Sequence, residues 1–286
     1  MKLSLGTVQF GNSYGVSNKT GIVSYNEAEK ILTTARESGI KMLDTANSYG
    51  ESENILGEIG VNDFDVVSKI KILEGSSIDQ KIIENNIIST LKKLRIESLY
   101  ALLIHNTETL DSKDAKKIFD ILAVMKKNKL IQKIGISIYN SNNIEQLVDD
   151  YKFDVIQAPI NIFDRQLNYN SRLELLKKEN IEIHARSIFL QGLLLMNSKM
   201  RPNYFNSWKN LFKAYDKWTA ENNILPIEAC LKFVSNVSLI DRIVVGVQSN
   251  VELKQIINLN LKHCIDVPDE IQSNDTKLIN PFNWNL

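Results

Sequence analysis

Ile40-Lys41-Met42-Leu43-Asp44-Thr45-Ala46-Asn47-Ser48-Tyr49-Gly50 decides how the chain is read. A short apolar run closing on a turn signal marks a buried strand, and this run ends in a carboxylate with a phenol five residues on. Two later runs have the same build. Phe64-Asp65-Val66-Val67-Ser68-Lys69 ends in a lysine, and Leu99-Tyr100-Ala101-Leu102-Leu103-Ile104-His105 ends in a histidine. If these strands lie parallel, their C-terminal ends share one face, and Asp44, Tyr49, Lys69 and His105 meet there as a candidate active site.

Outward from that stretch, strand-like and helix-like segments alternate. Leu3 to Thr7 reads as the first strand, and Ser24-Tyr25-Asn26-Glu27 has the capping-box pattern that opens a helix through Ser38, stopped by Gly39. Strands are expected at 40–44, 64–69, 98–105, 132–137, 153–157, 181–187 and 242–246. Helices are expected at 51–60, 78–93, 113–128, 142–150, 170–179, near 204–222, at 226–235 behind Pro226, and at 250–258. Eight strands separated by helices imply parallel pairing with right-handed crossovers, so the expected fold is α/β, a closed (β/α)8 TIM barrel. An open doubly wound sheet is the competing fold, but Gly6, Gly11 and Gly15 lack the spacing and the following helix of a dinucleotide fingerprint. One domain is expected over residues 1–286, because such barrels hold about 250 residues and no linker or low-complexity stretch divides the chain. The tail 266–286 reads as too polar for core and is expected to lie across a barrel face.

Composition narrows the function. The 34 basic and 34 acidic residues cancel, and no dense basic block appears, so the electrostatic footprint of a nucleic-acid binder is missing. No run approaches the roughly 18 apolar residues of a membrane span, and the N-terminus lacks the apolar stretch of a secretory signal. A cytoplasmic protein with a small-molecule partner is expected. Cys230 and Cys264 stand far apart without metal-ligand or redox spacing, and read as free thiols with no metal site.

Leu43-Asp44-Thr45-Ala46 with Tyr49-Gly50, then Ser68-Lys69, then Leu103-Ile104-His105, resembles the aldo-keto reductase superfamily. Leu5-Gly6-Thr7, Gly135-Ile136-Ser137, Ile156-Gln157, Gly192-Leu193-Leu194 and Val244-Val245-Gly246 add to the likeness, which runs from Leu5 to about Gln255. The resemblance implies NAD(P)H-dependent reduction of an aldehyde or ketone by an Asp, Tyr, Lys, His tetrad. Reducing a carbonyl needs a hydride at carbon, which a nicotinamide supplies, and a proton at oxygen. Tyr49 would give the proton, with the Lys69 ammonium stabilising the phenolate and lowering the phenol's ordinary pKa of about 10. Asp44 would keep Lys69 charged in a partly buried place. His105 would orient the carbonyl oxygen.

For the cofactor, the resemblance implies contacts from Thr7, from Ser137 and Gln157 to the nicotinamide carboxamide, from Ser187, Leu190 and Gly192 to the pyrophosphate, and from Gly246, Gln248, Ser249 and Glu252 to the adenosine phosphate. Two positions depart from the usual pattern. Ile138 stands where many members carry an asparagine, and Arg186 stands where an aromatic ring often stacks on the nicotinamide. NADPH is the family-weighted cofactor with NADH possible, because Gln248 and Glu252 replace commonly basic residues. Gln9, Phe10, Tyr14, Phe189, Trp208 and Trp218 are candidates for a mixed aromatic and polar pocket, whereas Phe205, Trp208 and Phe212 at helical spacing suit a core. The runs around Gln157 and Ser187 are similar to a bacterial subgroup tied to surface-polysaccharide sugars, so a sugar-like carbonyl is one expectation. A nucleotide-sensing regulatory subunit and a lyase using Lys69 as a Schiff base are the alternative functions.

Overall fold

The structure, a computed structural model, describes residues 2–71, 79–105, 115–139, 143–168, 171–261 and 264–286. Eight strands bond in chain order and close on themselves: β1 (Leu3–Gly6), β2 (Met42–Asp44), β3 (Asp65–Ile70), β4 (Leu99–Ile104), β5 (Ile131–Ser137), β6 (Val155–Pro159), β7 (Glu182–Arg186) and β8 (Arg242–Gly246). Every neighbouring pair is parallel, and Leu3 opposite Ile243 through Gly6 opposite Gly246 seals the ring. This is the (β/α)8 barrel. Parallel pairing forces a crossover between consecutive strands, which the helices provide. They are α1 (Val8–Gly11), α2 (Tyr25–Glu37), α3 (Ser52–Ile59), α4 (Gln80–Leu94), α5 (Ala115–Lys127), α6 (Ile144–Asp150), α7 (Arg172–Lys178), α8 (Lys209–Glu221), α9 (Pro226–Ser235), α10 (Asn250–Ile257) and α11 (Thr276–Ile279).

The local rules work as physical chemistry requires. Ser24, in an extended conformation, accepts the amide of Glu27 and starts α2, whose Ala28, Ile31, Leu32 and Ala35 then fall on one buried stripe. Pro226 opens α9, where its missing N–H costs nothing. The outward faces of the strands and these helical stripes form the main apolar core, while Met42, Val67, Ala101, Leu103 and Val155 fill the barrel interior as a second cluster. Burying each such side chain stabilises the fold by roughly 1.5–3 kcal/mol before entropy is counted. That interior layer is the floor on which the upper strand ends stand.

Several expected bounds differ. Strand β2 begins at Met42 rather than Ile40, and the helix expected near 204–222 divides into a 3-10 segment, Asn203–Trp208, followed by α8. The helix starts expected at 78, 113, 142 and 170 lie outside the described residues. The tail is less polar in effect than its composition suggests, since Val267, Ile271, Leu278 and Ile279 are buried in the main core. Single apolar anchors on short turns leave no periodic signal, which is why they are invisible in the sequence. The tail crosses loops at the C-terminal side of the barrel. Arg165 donates to the carbonyls of Val267 and Pro268, Ser273 N–H donates to Phe163, and the Phe282 ring meets Tyr139 edge-on at 4.7 Å. No helix among the described residues is long and apolar enough to cross a membrane.

Candidate active site

A cleft of about 280 Å³ opens where the C-terminal ends of the strands meet, and Asp44, Tyr49, Lys69 and His105 all line it. Register places them there. Asp44 ends β2 beside Val67, so Lys69, two residues on, projects inward just above it, and His105 follows the last residue of β4. Ser68 points the other way and donates to buried Glu53 on α3 at 2.8 Å, which fixes the face that Lys69 presents. Tyr49 is held by a close backbone approach. A side chain at Gly11 would strike the Tyr49 carbonyl, and Gly50, at φ +50°, packs on Gly11 in turn.

Lys69 Nζ donates to Asp44 Oδ2 at 2.6 Å, to the Thr45 carbonyl at 3.0 Å and to Tyr49 Oη at 3.5 Å. These three acceptors account for the three N–H bonds of an ammonium. Asp44 Oδ1 accepts from Gln157 Nε2 at 2.7 Å, so both carboxylate oxygens are occupied. His105 meets the Tyr49 ring edge-on at 6.0 Å, and its Nδ1 lies 3.4 Å from Ser48 Oγ. Burial, with the charges of Lys69 and Arg186, pushes the His105 imidazole down to about 4, so it is neutral at pH 7. Burial also lowers Lys69, against the opposing pull of Asp44.

One electrostatic expectation fails. The Tyr49 phenol is raised rather than lowered, first by burial and then by the charge of Asp44. Lys69 sits closer to Asp44 than to the phenol, and its charge is largely cancelled there. Lys69 can therefore support a phenolate once it forms, but it does not pre-ionise Tyr49.

The other candidate residues divide. Thr7, Ser137, Gln157, Arg186, Ser187, Gly192, Gly246, Gln248 and Glu252 line the cleft, whereas Leu190 and Ser249 do not. Leu190 is fully buried and its amide bonds to Ser187, and the Gly192 amide bonds to Phe189, so neither N–H is free. Ser249 caps α10 by accepting the Glu252 amide at 3.2 Å. Ser187, Leu190 and Gln191 all take positive φ, a concentration of backbone strain beside the cleft. Of the expected pocket residues, Gln9, Tyr14 and Phe189 line the cleft. Phe10 is core, and Trp218 is buried with its indole N–H on the Asp266 carbonyl. Trp208 donates to Asp275 in the tail. Tyr139, which sequence reasoning missed, lines the cleft and carries the Arg186 guanidinium 3.8 Å above its ring. Its only signal was an aromatic two residues beyond a strand end.

The donor set suits a nicotinamide. Gln157 Oε1 and Gln9 Oε1 are buried in this cleft with no hydrogen-bond partner among the described residues, and orphaned acceptors are what a carboxamide N–H would satisfy. The profile of the aldo/keto reductase family matches residues 2–272, nearly the whole chain. The chain belongs to the aldo/keto reductase family. Solved structures agree on the fold. An aldo-keto reductase of Bacillus halodurans in its holo form superposes with a TM-score of 0.71 at 17% identity, covering 94% of this chain and 89% of that one. A Pseudomonas aeruginosa protein assigned to the aldo-keto reductases gives 0.64 at 21% identity, covering 90% and 88%. No curated protein matches at a significant level. Aldo/keto reductase membership implies an oxidoreductase acting on small carbonyl compounds with NAD(P)H.

Proposed function

We propose that this chain reduces an aldehyde or ketone to an alcohol at the cleft, with Tyr49 as the proton donor. The observation that carries the reading is Lys69 Nζ, seated at the cleft floor between Asp44 and the Tyr49 hydroxyl. A bound reduced nicotinamide supplies the hydride. Ser137 and the unpartnered Gln157 oxygen would hold its carboxamide, and Gln157 is itself fixed by Asp44.

The residues then act in sequence. In the tautomer where His105 Nδ1 accepts from Ser48 Oγ, 3.4 Å away, Nε2 carries the proton, and from it the neutral imidazole would donate to the carbonyl oxygen and aim it at Tyr49. As negative charge builds on that oxygen, it becomes a base strong enough to take the proton of even a raised phenol. Lys69 stabilises the phenolate left behind, and Asp44 keeps Lys69 charged against the cost of burial. The raised phenol has its own use, because Tyr49 stays protonated across the neutral range and ready to donate.

Gln9, Tyr14, Tyr139 and Gln191 give the mouth hydrogen-bonding groups on aromatic surfaces, which suits a hydroxylated, sugar-like carbonyl compound. The three hydrogen bonds of Lys69 describe an ammonium, the wrong state for a Schiff-base nucleophile, so the lyase reading is not favoured. The test is the loss of near-ultraviolet absorbance of reduced nicotinamide against a panel of aldehydes, ketones and sugars. Turnover with at least one carbonyl is expected. No consumption across the panel, with nucleotide bound, would overturn the proposal in favour of a sensing role.

A further inference from the structure

The two ends of the cleft carry opposite charge. Among the described residues that line it, the cations are Lys69 and Arg186. Lys69 is spent on Asp44, and Arg186 stands at the reacting end, its guanidinium on Tyr139 and donating to the Ile138 carbonyl at 2.9 Å. The far end, at the first turn of α10, has no lysine or arginine in its lining and instead has Glu252. Lys254 faces outward from the same helix and is exposed.

A helix N-terminus normally offers free amides and a positive dipole end to an anion. Here carboxylates take two of them. Glu252 Oε2 accepts the Gln248 amide at 2.7 Å, and Glu27 Oε1, from α2, accepts the Asn250 amide at 2.7 Å. The Glu252 amide is given to Ser249 Oγ, and the Gln248 side-chain oxygen is occupied by the Thr20 hydroxyl at 2.9 Å. A phosphate arriving there would meet the Glu252 carboxylate and, among the described residues lining that end, no lysine or arginine; Glu27, set back from the cleft, is paired with Lys30 at 3.4 Å. A ribose diol would meet an acceptor, since Glu252 Oε1 has no hydrogen bond among the described residues.

We propose that Glu252 is a specificity-determining residue that makes this cleft prefer NADH over NADPH. The inference rests on the nicotinamide lying at the Tyr49 end, as proposed above, which sends the adenosine ribose to the α10 end. The 2′-hydroxyl then donates to Glu252, whereas a 2′-phosphate is repelled by it. This departs from the NADPH preference expected from family resemblance, because no lysine or arginine among the described residues lines that end of the cleft.

The test is binding, independent of turnover. Tryptophan fluorescence titrations of the wild-type protein with NADH and NADPH should give at least tenfold tighter binding of NADH at low salt. The ratio should shrink towards about 1 M salt, where the screening length falls to about 3 Å. Glu252→Gln keeps the size and a hydrogen-bond acceptor but drops the charge. It should tighten NADPH at least threefold while changing NADH less than twofold, and Glu27→Gln should act in the same direction more weakly. A role confined to capping α10 would move both nucleotides together and would leave the ratio insensitive to salt. NADPH binding as tightly as NADH in the wild type, or a ratio unmoved in Glu252→Gln, would overturn this inference while leaving the reductase proposal standing. Binding of neither nucleotide would overturn both.

Discussion

Each end of the barrel holds a lysine, a tyrosine, a histidine and a carboxylate, in different states. At the C-terminal end are Lys69, Asp44, Tyr49 and His105. At the N-terminal end, Lys133 donates to Tyr100 Oη at 2.7 Å and to Glu182 Oε2 at 2.5 Å, Tyr100 donates to the same oxygen at 2.7 Å, and His184 Nε2 lies 2.9 Å from Glu182 Oε1. The lower cluster is bonded into one network away from the cleft, although the buried His184 Nδ1 has no hydrogen bond among the described residues. Every member points at another, Lys133 is raised on balance by its partners, and Glu182 is held well below the ordinary carboxylate range by hydrogen bonds from His184, Lys133 and Tyr100 that outweigh its burial. The upper cluster is open. Its lysine is lowered by burial, its histidine is forced neutral, and its phenol lies at the long end of hydrogen-bond reach beside a cleft. Residue type does not make a site. Access to a cavity distinguishes the two: the upper four line the cleft, whereas the lower four do not and read as a stabilising plug, as the N-terminal face of such barrels should.

The largest expected break between the two ends is in turnover. Tyr49→Phe should cut carbonyl reduction by about 10²–10⁴-fold, the range a general acid contributes, with nucleotide binding retained. A loss below tenfold in steady-state kcat would remove Tyr49 from the role. Next is stability. Lys69→Met leaves Asp44 as an uncompensated carboxylate only 5% exposed and should cost about 3–5 kcal/mol in urea unfolding. Near-normal stability there would mean that Asp44 is not relying on Lys69.

How much of this was legible follows from the same contrast. The strands, the α2 cap at Ser24, Pro226 at the head of α9 and the four upper residues at strand ends could be read because each is a local pattern in one segment. The lower cluster could not, since Tyr100, Lys133, Glu182 and His184 sit within or at the start of strands and are joined only by closure of the barrel. Tyr139 and the buried tail anchors Val267, Ile271, Leu278 and Ile279 were hidden for the same reason. The direction of Tyr49's shift was misjudged because its burial, which raises the phenol most, is set by the closed barrel, and the Asp44 charge adds to it. Glu252 was legible as a missing arginine, but its seat on the Gln248 amide was not.

The ends should also separate by pH. His105 is depressed from 6.5 to about 4, so between those values the unfolded state binds the proton and the folded state does not. Stability is therefore present above pH 6.5 and lost as pH falls towards 4, and His105→Gln should flatten that slope. Glu182 is also depressed, from 4.5, so its contribution is lost only as pH falls below about 4.5, and Glu182→Gln should flatten the curve there alone. Overlapping windows in denaturant midpoints would show that the two histidine-bearing clusters are not distinct. The smallest effect on turnover belongs to Tyr100→Phe, which removes hydrogen bonds to the Glu182 carboxylate and from the Lys133 ammonium. It should cost about 1.5–3 kcal/mol of stability and leave kcat within twofold, in contrast to the same change at Tyr49.

The open cluster is expected to protonate a carbonyl to which a bound reduced nicotinamide delivers its hydride. Reduced nicotinamide carrying deuterium at the transferring carbon, incubated with the protein and the best carbonyl of the panel, should yield an alcohol with deuterium on its carbinol carbon. Mass spectrometry should find that product with the wild type and with Tyr100→Phe, and only a trace with Tyr49→Phe. Label absent from every product, or transferred equally well by Tyr49→Phe, would contradict the account.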